Sequence, residues 1–81
     1  MARSFCHEGI EAFRNGDLEK AASLLSHSVQ IDPALDMTWF YLGEAQMAAG
    51  RPAEGKLAYE QCLKLNPAHG RALAALQSAK D

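Results

Sequence analysis

Slid against itself by 34 positions, this chain lands on its own punctuation: Gly9 falls on Gly43, Gly16 on Gly50, Pro33 on Pro67 and Ala34 on Ala68. Around these identities Phe5 meets Trp39, Leu25 meets Tyr59, Ser28 meets Cys62, Val29 meets Leu63 and Ile31 meets Leu65. The identities are few, but they stand at both turns and at a glycine suited to close packing. A supersecondary unit repeated at such a period cannot bury its apolar face alone, so neighbouring copies stack and share a core.

The breaks at Asn15-Gly16-Asp17, Asp32-Pro33, Ala49-Gly50-Arg51-Pro52, Asn66-Pro67 and Gly70 separate pieces that suit three-turn helices. The reading is five helices, over roughly 3–15, 18–31, 36–49, 52–65 and 69–79. Leu18, Ala21, Ala22, Leu25 and Val29 share one face of the second. Leu57, Ala58, Cys62 and Leu65 share one face of the fourth, widened by Tyr59 and Leu63. Strict alternation, the strand signature, is absent. Asp17 is expected to cap the second helix with its side chain, and Pro52 to occupy the first position of the fourth. Asp32-Pro33 and Asn66-Pro67 end the helices before them, because a residue preceding proline avoids the α region. Gly16 and Gly50 permit a left-handed helix end. Connections this short make neighbouring helices antiparallel.

A helix-turn-helix unit of this period is the tetratricopeptide signature, and the sequence resembles that family over nearly its whole length. The second unit carries Trp39-x-x-Leu42-Gly43, then Tyr59, Cys62 and Pro67; the first carries Phe5, Gly9, Ala21, Leu25, Ser28 and Pro33. Residues 70–80 resemble the opening helix of a third unit, with Leu73 and Leu76 in the aromatic and leucine places. The resemblance implies an all-α, right-handed superhelical array of antiparallel helix pairs in a single domain. Its repeats span about 2–35 and 36–69, with a capping helix at about 70–80. Gly9 and Gly43 then stand where two helices approach closely, and Trp39 and Tyr59 supply buried area between paired helices. Leu73, Ala74 and Leu76 form the inward face of the cap. Glu8, Ala12, Gln46 and Gly55 depart from the family pattern and imply looser packing.

In this family the first helix of each unit lines a concave groove that holds peptides or partner helices. Carried over residue by residue, the groove comprises Arg3, Cys6, Ile10, Phe13 and Arg14, then Met37, Phe40, Tyr41, Glu44 and Met47, then Arg71, Ala75 and Ser78. Its middle is apolar and its edges carry arginines, the composition of an interaction surface. Ile10, Phe13 and Met47 fit the intramolecular core equally well. Trp39-Phe40-Tyr41-Leu42 is an uninterrupted apolar quartet, and one helix is not expected to turn all four inward. Family members that bind the acidic tails of Hsp70 and Hsp90 use a clamp of lysine, asparagine and arginine. At the matching positions this chain has Cys6, Ile10, Tyr41, Arg71 and Ala75, which excludes that ligand.

The 81 residues, 48% hydrophobic with 22% charged, suit one small globular domain. A net charge of -2 without a like-charge block argues against nucleic acid or anionic lipid as partner. No stretch approaches a membrane span of about 20 apolar residues, and the charged start lacks the apolar run of a signal peptide. Cys6 and Cys62 form neither a disulfide framework nor a Cys-x-x-Cys pair, which points to reduced thiols and a cytoplasmic setting. Cys6 and His7 diverge by about 100° on a helix, His7 and Glu11 read as a solvated contact, and His27 and His69 show no metal-ligand spacing. No phosphate loop or nucleophile elbow is present. The expectation is a non-catalytic adaptor without cofactor or metal, binding another protein. The alternative is a self-assembling array whose groove surface mediates homo-oligomerisation, since about three repeats are normally needed for stability.

Overall fold

The computed structural model describes residues 4–79. These form five helices: α1 (Phe5–Arg14), α2 (Leu18–Ile31), α3 (Asp36–Ala48), α4 (Pro52–Leu65) and α5 (Gly70–Ala79). No strand occurs among the described residues. Each helix packs on the next in sequence, and α1 also touches α3, so the molecule is a short stack of 39 × 24 × 17 Å.

The turns repeat as closely as the sequence does. Gly16 and Gly50 adopt φ of 83° and 84°, the region an L side chain enters only with strain. At the first turn Gly16 N–H donates to Phe13 O at 3.0 Å and Asp17 N–H to Ala12 O at 2.9 Å. At the second, Gly50 N–H donates to Met47 O at 3.1 Å and Arg51 N–H to Gln46 O at 2.9 Å. Both are Schellman closures, which satisfy carbonyls a helix end leaves open. The longer-period turns also match: Asp32 Oδ1 accepts from Ala34 N–H and Asn66 Oδ1 from Ala68 N–H, each at 3.2 Å. Pro52 begins α4 as expected. Asp17 precedes α2, but its side chain takes no capping hydrogen bond. Ser4 does cap, accepting from His7 N–H at 3.1 Å.

Two apolar clusters form the core. The first joins Ala12, Ala21, Ala22, Leu25, Val29, Leu42, Ala45 and Ala58; the second joins Phe40, Tyr59, Cys62 and Ala72. Trp39 and Tyr41 pack against both. The buried face of α2 keeps Ala21, Ala22, Leu25 and Val29 of the expected one and adds Ser28, while Leu18 is only half-buried. In α4 the face is rotated: Gly55, Ala58, Tyr59 and Cys62 are buried, while Leu57 and Leu65 are 62% and 44% exposed. In α5 the buried residue is Ala72, with Ala75 and Leu76 packed beside it, and Leu73 and Ala74 face out. Leu73 occupies the place of Trp39 in the repeat and is 41% exposed.

Looser packing is not what the fold displays at Gly55, whereas Glu8 and Ala12 line an open hollow of about 360 Å³. A Cβ on Gly55 would lie 2.6 Å from Met47 Cγ, so the methionine fills the space an alanine would occupy. Ala12 is buried in the first cluster, and Gln46 accepts a hydrogen bond from Arg51 Nε.

Arg51 ties the α3–α4 turn to the start of α2. Its guanidinium meets Glu19 in two parallel hydrogen bonds of 3.0 and 3.1 Å, and Glu54 lies 3.5 Å away. The hydrogen bond and then the charge of Arg51 hold the Glu19 carboxyl below its ordinary 4.5. A depressed folded value means the contribution is complete above the unfolded pKa and is lost as pH falls through the folded one. The melting-temperature difference between wild type and Glu19→Gln is therefore expected at pH 7 and to shrink as pH falls below the ordinary carboxylate range, as thermal melts across that range would reveal.

Candidate protein-binding face

The expected groove residues divide into three groups once placed on the helices. Ile10 and Arg14 of α1 and Met37 and Tyr41 of α3 line a hollow of about 280 Å³, together with His7 and Glu11. These last two were read from sequence as a solvated pair; they do touch, His7 Nε2 to Glu11 Oε2 at 3.5 Å, and they also form one wall. Met37 is 52% exposed and Arg14 is exposed, whereas Ile10 and Tyr41 are half-buried against the core. Phe13 flanks Tyr41 edge-on, with ring centroids 6.2 Å apart, and packs on the first cluster.

A second group is engaged inside the molecule. Phe40 is only 2% exposed. Its ring packs with Tyr41, Tyr59 and His69, and the Arg71 guanidinium lies 4.7 Å from its centroid. The groove assignment of Phe40 is thus corrected. α3 is covered on more than one side, since it touches α1, α2 and α4. Phe40 and Leu42 are consequently buried, and Trp39 and Tyr41 half-buried. Trp39 Nε1–H donates to Pro33 O at 2.9 Å. Met47 is half-buried against Gly55, and Glu44 accepts from the Tyr59 hydroxyl, whose pKa is raised by burial first and then by that carboxylate.

The third group lies elsewhere. Cys6 shares a 3.1 Å hydrogen bond with Thr38 Oγ1, and it lines a different hollow of about 450 Å³ with Phe5, Ile31 and Leu35. In the internal repeat Cys6 stands where Phe40 stands, and the smaller side chain leaves that space open. Arg71 is exposed over Phe40, Ala75 packs on the second cluster and Ser78 is exposed. Arg3 lies outside the described residues.

Cys6 and Cys62 are both free thiols. Cys62 is fully buried, and burial followed by the Asp36 charge pushes its thiol up to about 11, which leaves no accessible thiolate nucleophile. Asp36, Cys62 and His69, which the sequence reading left unconnected, gather where α3, α4 and α5 meet. No helix is long and apolar enough to cross a membrane among the described residues.

The profile of the tetratricopeptide repeat family matches residues 37–69, which cover nearly all of the α3–α4 pair. The TPR repeat-containing protein PA0015 of Pseudomonas aeruginosa is 42% identical over 55 residues, 68% of this chain and 52% of that protein. The chain thus spans about half the length of this relative. Repeats of this kind generally mediate contacts between proteins and are typically non-catalytic. With its five stacked helices and its matched α3–α4 pair, the chain belongs to the tetratricopeptide repeat family.

Proposed function

We propose that the face between α1 and α3 binds an extended segment of another protein and that the chain acts as a non-catalytic adaptor. In this reading α1–α2 and α3–α4 are the two repeats and α5 is the cap. The observation that carries it is the open hollow between α1 and α3, where exposed Met37 adjoins Ile10 and Tyr41 beside the guanidinium of Arg14. An apolar floor with Arg14 at its edge, and with the wall carboxylate Glu11 turned to His7 at 3.5 Å, favours a ligand with one apolar anchor flanked by acidic residues. The two free cysteines suit a cytoplasmic setting for that contact.

Selection from a displayed random-peptide library tests the reading. Peptides rich in apolar-acidic pairs are the expected winners, and Met37→Glu or Arg14→Glu is expected to weaken them at least about tenfold, equivalent to roughly 1.4 kcal/mol. Selected peptides that bind both variants as well as wild type would place the binding surface elsewhere.

Self-association is the second reading. Met37, Ile31, Leu57, Leu65 and Leu73 are exposed apolar side chains, which association with another copy would remove from water. Light scattering across concentrations decides it: a mass that never rises above the monomer excludes a homo-oligomer.

A further inference from the structure

Asp36 opens α3, Cys62 lies in the last turn of α4 and His69 immediately precedes α5; one ligand atom from each lies within 4.8 Å of the other two. We propose that this trio binds a single divalent transition-metal ion of the zinc type and fastens α5 to the helix pair before it. The donor set is the first argument. Thiolate, imidazole and carboxylate together suit zinc or cobalt, whereas calcium and magnesium take oxygen ligands. Charge is the second. One thiolate and one carboxylate neutralise a dication at a place where Cys62 is fully buried and Asp36 and His69 are half-buried.

The distances are compatible with closure around an ion. In a tetrahedral site, bonds of about 2.3 Å to sulfur and about 2.1 Å to nitrogen place the ligand atoms about 3.6 Å apart, so from separations of up to 4.8 Å the side chains close by up to about 1.2 Å. Asn66 Nδ2–H donates to Asp36 Oδ2 at 2.9 Å and so orients the carboxylate, as outer partners of metal ligands do. His69 Nδ1 accepts from Ala72 N–H at 3.2 Å, so this nitrogen holds the lone pair of the neutral ring. The half-exposed side of the cluster leaves water as the fourth ligand. Binding releases the thiol proton to solvent and takes the Nδ1 lone pair from Ala72. The three ligands come from three successive elements, which gives a small domain a cross-link that its thin core lacks.

The test uses the full chain, freed of metal by a chelator under reducing conditions and titrated with Co²⁺. The expected result is a thiolate-to-cobalt absorption in the near ultraviolet with the visible bands of a tetrahedral ion, both displaced by Zn²⁺. Cys6→Ser is expected to keep these bands, and Cys62→Ala and His69→Gln to lose them. Zn²⁺ is expected to raise the melting temperature of wild type and not of His69→Gln, and to shift the Ala72 amide resonance. If Cys62→Ala does not fold, His69→Gln alone decides. Absence of the thiolate band in wild type, its survival in Cys62→Ala, or an equal Zn²⁺ response in His69→Gln would overturn the proposal.

Discussion

Phe40→Ala is expected to bring this chain to the edge of unfolding. A buried phenylalanine truncated to alanine costs about 3–5 kcal/mol in lost transfer energy and residual cavity. A domain of 81 residues is stabilised in total by roughly 4–12 kcal/mol. The site has little capacity to collapse, because Tyr59 and Cys62 of α4 and Ala72 of α5 around it are themselves buried. The loss also strips Arg71 of the ring it stacks on, worth about 0.5–1 kcal/mol at an exposed site. Urea denaturation followed by circular dichroism measures the effect, with Phe40→Leu expected to cost less than about 1.5 kcal/mol. Because α5 reaches the rest of the molecule through this cluster, amide exchange in residues 70–79 is expected to rise before that in α2. A Phe40→Ala protein as stable as wild type would mean that the ring is not packed as described.

Gly43→Ala is expected to cost about 1–3 kcal/mol, although alanine is the better helix former by about 1 kcal/mol. A Cβ at this position would stand 2.7 Å from two ring carbons of Tyr59 and 3.1 Å from the carbonyl oxygen of Gly55. Tyr59 cannot yield, since it is 2% exposed and its hydroxyl is held by Glu44. Gly55→Ala faces the same backbone approach from the other side, 3.1 Å from Gly43 O, but its nearest side-chain atoms are those of flexible Met47. Its expected cost is therefore smaller. Once either methyl has pushed α3 and α4 apart, the second meets less resistance, so the double variant is expected to lose less than the sum. Denaturant melts of the two single variants and the double variant give the coupling directly.

The sequence made the punctuation legible because each signal there is local. Gly16, Gly50, Pro52 and the two Asx-Pro turns act within a few residues of themselves, and the helix limits accordingly match within about two residues. Which side of each helix is buried was legible only where one neighbour decides it, as in α2. Phe40 was misread because its cover comes from α4 and α5, far along the chain, and Leu57 was read inward although Tyr59 takes that place. The gathering of Asp36, Cys62 and His69 had no readable spacing, since three elements contribute one residue each. In the hollow between α1 and α3, Ile10, Arg14, Met37 and Tyr41 were legible through the repeat, whereas His7 joined them only through the crossing of the two helices.

Trp39 and Tyr41 are the side chains that pack on both apolar clusters. A stack of helix pairs behaves as a one-dimensional lattice, in which cooperativity is the strength of coupling between neighbouring units. In this chain part of that coupling runs through two side chains within a single turn of α3. Whatever presses on the exposed edges of these two aromatics therefore acts on whether the array melts as one body or in sections.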